Sequence, residues 1–239
     1  MLRGIVAPDF GTFIDRLAQL PLVYQPGTRW SYSIGLDVMG YVIQQVSGMP
    51  FDAFLQKRIF NPLDMRSTFF TVPENRAVDL ATNYAVVAGN VLPIDTGANS
   101  IYLDQPNFPF GGSGLVGSAR DYDRFLGMLL GFGKLGDTRI MKPETARLGM
   151  SNLLPEGVTV GTQLRIEGGF GAGGLVGAGT ATSPAGTFGW GGAAGTMAFV
   201  DTLRGFRAGG YTQYMPSEPM IFRINSRIMS MPIWPICSA

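Results

Sequence analysis

Apolar residues recur at helical spacing through the first part of the chain, and beyond about residue 155 they alternate with polar and small residues instead. Phe10, Phe13, Ile14, Leu17 and Leu20 mark a first helix, which Pro21 ends. Gln25 to Trp30 contains the turn pair Pro26-Gly27. A second helix is expected from about Leu36, with Leu36, Met39, Val42, Ile43 and Val46 on one face and Gly48 as its C-cap. Phe51, Phe54, Leu55 and Ile59 predict a short third helix stopped by Pro62. Residues 66–112 carry Pro, Asn and Gly punctuation with strand-like pieces such as Ala85 to Val91. Ser118 and Asp121 form a capping-box pattern ahead of Tyr122, Phe125, Leu126, Leu129 and Leu130. Pro143 to Met150 reads as another helix.

After the turn pair Glu156-Gly157 the pattern becomes that of strands. Val158 and Val160 alternate with Thr159, and Gln163 to Ile166 and Thr196 to Val200 read the same way. Asp201 to Gly205 is a hairpin turn, with Phe206 to Gln213 the returning strand. Helices grouped first and antiparallel strands afterwards predict an α+β domain spanning 1–239, without βαβ alternation or an internal repeat.

Composition narrows the chemistry. With 239 residues, 46% of them apolar, the chain can bury a substantial core. A net charge of +1 and no basic stripe argue against a nucleic-acid partner. The apolar runs are too short for a membrane span, and no signal peptide is visible, which favours the cytoplasm. Cys237 is the single cysteine and reads as structurally incidental. The decisive count is that of histidine, which is zero. Ser-His-Asp and Cys-His triads are excluded, as is every metal site built on imidazole. Acid–base work must therefore fall to carboxylates, lysine, tyrosine or another chain.

Three stretches are candidates for chemistry. Gly169, Gly171 and Gly174 satisfy a G-x-G-x-x-G spacing, but no amphipathic helix follows and Asp201 lies too far along for a ribose contact. The stretch reads as a glycine-rich strand packed against another backbone, and no cofactor is expected. Tyr32 follows the Pro26-Gly27 turn and stands just before a helix begins, where a helix dipole would favour a tyrosinate. It is the first candidate for proton transfer, against the plain alternative of a half-buried loop tyrosine. In Phe188-Gly189-Trp190-Gly191-Gly192-Ala193-Ala194-Gly195-Thr196, small residues after Trp190 permit close approach of a ligand to main-chain N–H groups. The same pattern fits a bulged edge strand beside a packed tryptophan, and the residues leave both open.

Taken together these stretches resemble the serine β-lactamase, penicillin-binding protein and family VIII carboxylesterase superfamily, from about Phe10 to Met220. Pro26-Gly27-Thr28 leading to Tyr32-Ser33, then Gly48 and Pro62-Leu63-Asp64-Met65, is similar to that family's run around its catalytic tyrosine. Gly112-Ser113-Gly114-Leu115 through Ser118-Ala119-Arg120-Asp121-Tyr122 resembles its loop into a helix. Trp190-Gly191-Gly192 stands where lactamases carry Lys-Thr-Gly, and the tryptophan resembles the esterase branch. The resemblance implies a β-lactamase/transpeptidase-like fold and small-molecule ester substrates. It implies that Tyr32 exchanges a proton between nucleophile and leaving group. It also implies that the N–H of Ala193, after Gly191 and Gly192, meets the oxyanion and that Trp190 lines the acyl pocket.

The sequence departs from this family in three places. No serine is followed three positions later by lysine, so the S-x-x-K motif, its nucleophile helix and the N-terminal strands are expected upstream of Tyr32, outside this chain. Met1 is then read as an internal start or a cloning boundary. Ile34 stands where lactamases place the asparagine of Tyr-x-Asn, which points away from β-lactams and towards esters. From about Phe222 the tail does not resemble an amphipathic terminal helix. The implied activity is hydrolysis of short-chain carboxylic esters through an acyl-serine, with this chain alone inactive. The alternative is a pseudoenzyme or binding module that keeps the cleft without the chemistry.

Overall fold

The computed structural model describes residues 7–160 and 167–215. Helix α1 spans Phe10–Ala18, α2 Gly35–Ser47, α3 Phe51–Leu55, α4 Ala119–Leu130 and α5 Pro143–Gly149. Asp9 starts α1 by accepting the Thr12 N–H at 2.8 Å, satisfying a donor the helix itself cannot. The helix stops short of Leu20, which is exposed. Phe10 and Phe13 enter a cluster with Ala7, Phe51 and Phe108, and Ile14, Leu17, Tyr41 and Ile43 pack against it. The third helix is shorter than predicted: α3 ends at Leu55, and Gln56–Phe60 continues as a π-helical turn. That turn brings Phe60 to a second cluster with Leu63, Met65 and Met128.

Helix α2 ends on Gly48 at φ +65°, as its glycine predicts. Its orientation departs from the usual amphipathic rule, under which the apolar stripe faces the core. Asp37 and Gly40 face inward, and a Cβ on Gly40 would press to 3.2–3.3 Å of the Phe10 and Phe51 rings, so glycine sets this close approach. Leu36, Met39, Val42 and Val46 are instead 42–83% exposed. Of the predicted stripe, Ile43 is the member that packs on the core cluster.

Ser118 caps α4 by accepting the Asp121 N–H at 3.1 Å. The reciprocal half of the capping box is not made. Asp121 is buried, and its carboxylate accepts from the Ser67 N–H at 2.6 Å and the Thr68 hydroxyl at 3.0 Å, tying α4 to strand β1 (Thr68–Phe69).

Strands β2 (Asn83–Val87) and β3 (Asn90–Asp95) form a hairpin, so the single piece expected at Ala85 to Val91 is folded in its middle. Ala88 and Gly89, at φ +49° and +80°, make the turn, with the positive angles that match the twist of the two strands. Strand β4 (Val116–Gly117) pairs with β1, and β5 (Lys134–Leu135) with β6 (Thr138–Arg139). The main sheet follows: β7 (Gly169–Phe170), β8 (Leu175–Val176), β9 (Thr187–Gly192), β10 (Thr196–Asp201) and β11 (Phe206–Tyr211). Their order is β11-β10-β9-β8-β7, antiparallel throughout. Strand β12 (Tyr214–Met215) leaves that sheet and pairs with β2.

The α+β architecture with mainly antiparallel sheets agrees with the sequence pattern, apart from the parallel pairing of β12 with β2, while one strand does not form. The Glu156-Gly157 turn closes with the Val158 N–H on the Pro155 carbonyl at 3.0 Å, but Val158 to Val160 joins no ladder, and Val160 is buried as irregular chain. The strand expected at Gln163 to Ile166, the tail from Phe222 and Cys237 lie outside the described residues. Helix α4 covers the sheet through Leu126, which packs on Ala198 and Val200. The Arg207 guanidinium of β11 fixes the outer edge with paired bonds to the Asp123 carboxylate at 2.6 and 2.8 Å. Among the described residues no helix is long and apolar enough to cross a membrane.

Candidate active site

The segment delivering Tyr32 is built by the predicted turn. Gly27 takes φ +78°, and the Thr28 N–H and hydroxyl both donate to the Gln25 carbonyl, at 3.2 and 2.7 Å. The Arg29 guanidinium lies 4.9 Å over the Tyr24 ring and braces the turn from outside. The chain then runs without regular structure through Trp30 to Tyr32 and enters α2. Ile34 stands at the N-cap with no side-chain bond, so the first turn of α2 is not closed by its own cap.

Strand β9 carries Trp190, Gly191 and Gly192, and its pairing differs from an edge strand. On one side it is laddered to β10 along its whole length, with Trp190 opposite Ala198 and Gly192 opposite Thr196. On the other side the ladder to β8 reaches Phe188 and Gly189 and stops. Among the described residues the outer edge of β9 therefore has no strand partner from Trp190 onward, although the strand is internal where it begins. Ala193 is the first residue of the turn into β10, is exposed, and donates its N–H to no other described residue.

The two halves of the site meet through their rings. Tyr32 stacks on Trp190 with centroids 5.6 Å apart and planes 26° from parallel. Trp30 lies 6.2 Å from Tyr32 and 5.2 Å from Phe170, and Phe170 meets Trp190 edge-on at 5.4 Å. Tyr32 is 60% exposed, and its hydroxyl bonds to no other described residue. The sequence reading singled out Tyr32 and Trp190 but missed Trp30 and Phe170. The Trp30-Ser31-Tyr32 alternation could have flagged the first, since residues two apart on an extended chain share a face. Nothing local marks the second, which belongs to a different strand.

A third piece packs on the helix that follows Tyr32. The loop at Gly111 and Gly112 seats on the first turn of α2, where Asp37 Oδ1 accepts the Gly112 N–H at 2.9 Å. A Cβ on Gly111 would overlap the Leu36 carbonyl oxygen, so the approach requires glycine. Ser113 follows in this loop and is exposed. Sequence reasoning also missed Asp37, whose acceptor role depends on a loop far along the chain.

The glycine spacing at 169–174 is used for packing. A Cβ on Gly171 would overlap the Gly149 carbonyl oxygen, and one on Gly174 would come within 2.8 Å of the Phe188 ring. The strand turns back into β8 through the Gly171 N–H to Gly174 carbonyl bond of 2.8 Å rather than into a helix. Among the described residues no group of His, Cys, Asp or Glu side chains could hold a metal ion.

Comparison with known proteins gives the family. An uncharacterized protein of Mycobacterium tuberculosis is 32% identical over 204 residues, covering 79% of this chain and 49% of the relative. Lovastatin esterase of Penicillium rubens is 30% identical over 184 residues, covering 68% of this chain and 44% of the relative. The chain thus spans about half the length of these curated relatives. Among solved structures, EstCE1, a hydrolase with promiscuous acyltransferase activity, superposes with a TM-score of 0.73 at 28% identity, over 92% of this chain and 61% of that one. The beta-lactamase family model matches residues 5–228, and the chain belongs to that family of β-lactamase-like serine hydrolases, with esterases among its relatives.

Proposed function

We propose that this chain supplies the tyrosine and oxyanion half of an ester hydrolase that cleaves short-chain carboxylic esters through an acyl-serine. The serine and lysine come from an S-x-x-K segment outside the sequence given. In this reading the serine Oγ attacks the ester carbonyl, and the developing oxyanion accepts the Ala193 N–H beside Gly191 and Gly192. Tyr32 passes the serine's proton to the departing alkoxide, which leaves as the alcohol. Water then attacks the acyl-serine, gives its proton back through Tyr32, and releases the acid.

The observation that carries the proposal is the ring contact between Tyr32 and Trp190, which brings two stretches far apart in sequence to one place. The outward apolar face of α2 supports it. Leu36, Met39, Val42 and Val46 lie on the helix that begins just after Tyr32, and an apolar helix seated there would stand close to the phenol. The absence of an asparagine at Ile34 and the tryptophan at 190 support esters over β-lactams.

The test is to incubate the chain with a fluorophosphonate probe, alone and joined to a segment bearing S-x-x-K, and to measure intact mass. No adduct is expected on the chain alone, and one adduct on the joined protein, at the added serine. Stoichiometric labelling of the chain alone, with Ser113 the first residue to check, would overturn the division of the site. The joined protein should turn over a short-chain nitrophenyl ester with a higher kcat/KM than nitrocefin, and the reverse order would overturn the substrate assignment. A joined protein that folds yet takes no adduct would favour a binding module.

A further inference from the structure

We infer that Trp30, Tyr32, Phe170 and Trp190 together form a binding surface for a planar aromatic group of the ester, with Trp30 and Phe170 as the residues that select it. The inference deepens the ester-hydrolase reading above and rests on it for the identity of the ligand. The rings close a circuit: Trp30 to Tyr32 at 6.2 Å, Tyr32 to Trp190 at 5.6 Å, Trp190 to Phe170 at 5.4 Å, and Phe170 to Trp30 at 5.2 Å. They come from separate parts of the fold, the loop before α2, strand β7 and strand β9. Here Tyr32 is mostly exposed and the other three rings are half-buried.

The circuit lies where strand β9 loses its outer partner, at Trp190, so a ligand held on the rings has unladdered main chain beside it. A planar ring laid on this surface continues the offset-stacked and edge-to-face contacts the four rings already make, which a saturated ring of the same size cannot do.

The test reads binding and needs no nucleophile. The chain has three tryptophans, so Trp234→Phe leaves Trp30 and Trp190 as reporters. Their emission is followed while phenyl acetate or cyclohexyl acetate is titrated; the two probes share an acetyl group and differ in the planarity of the ring. Half-saturation by phenyl acetate is expected at about fivefold lower concentration or better, the size of one aromatic pair. Phe170→Leu removes a half-buried ring, and Trp30→Leu a second. Each should cut the preference to about twofold or less, with circular dichroism unchanged.

Equal half-saturation by the two esters, no response to either, or a preference that survives both substitutions would each overturn the inference. A joined protein that forms no acyl-serine would leave this result standing. Conversely, equal binding of the two esters would leave the hydrolase reading intact.

Discussion

Removing the Asp37 carboxylate separates the bond it makes from the space it fills. In the structure it sits in the first turn of α2 and accepts the Gly112 N–H at 2.9 Å. A hydrogen bond to a charged group contributes about 1.5–3 kcal/mol, and the low end applies because Gly112 is exposed and its N–H can turn to water. A carboxylate in the first turn of a helix adds about 0.3–1 kcal/mol against the helix dipole. Asp37→Ala is therefore expected to cost about 2 kcal/mol, which lowers Tm by about 4–8 °C for a chain of this length. Asp37→Asn keeps an acceptor oxygen facing Gly112 and loses chiefly the charge, so its cost should be about 1 kcal/mol or less. Urea unfolding of the three proteins at one pH measures both differences. If the alanine variant unfolds within about 0.5 kcal/mol of the parent, the loop is not held by this bond. If asparagine costs as much as alanine, the acceptor geometry assigned to Oδ1 is wrong.

Three further outcomes follow from other parts of the fold. Gly171→Ala puts a Cβ onto the Gly149 carbonyl oxygen and 2.9 Å from the Ser151 carbonyl oxygen, both main chain, so it should cost about 2–3 kcal/mol. A Tm lowered by less than about 2 °C would argue against that packing. The Arg207 guanidinium, hydrogen-bonded to Asp123, holds that carboxyl below its usual value of 3.8. A lowered folded-state pKa gives stability that is present above the unfolded value and lost as pH falls through the folded one. Asp123→Asn should therefore shrink the stability difference between about pH 5 and pH 3 by roughly 0.5–1 kcal/mol, the scale of a partly exposed pair, and an unchanged acid limb in urea titrations would contradict it. In the protein joined to an S-x-x-K segment, Tyr32→Phe should lower kcat about a hundredfold or more. Its Tm should stay almost unchanged, since the hydroxyl bonds to no other described residue; a variant that keeps most of its turnover removes Tyr32 from the proton path.

Local signals settled much of this protein in advance. Gly27, Gly48, Gly157 and Gly205 mark turns and a cap because their positive φ is written into the residue type. The helical stripes of α1 and α4 and the alternation of β11 were legible because period alone fixes which side chains share a face, and β10 was legible as a short apolar run. Tyr32 and Trp190 could be chosen as candidates from motif order, and the absence of histidine from these 239 residues left tyrosine as the leading proton carrier within them.

Tertiary packing decided the rest. Helix α2 turned its glycine and aspartate inward because Gly40 lets the Phe10 and Phe51 rings approach, and periodicity cannot say which face a neighbour will take. Asp121 left its capping box for Ser67 and Thr68, and Asp37 found Gly112, because each partner lies far along the chain. Trp30 and Phe170 joined Tyr32 and Trp190 only once β7 and β9 entered one sheet beside the loop before α2. A sequence specifies local dihedrals and faces, whereas a cluster of four rings drawn from three separate elements exists only after those elements have packed.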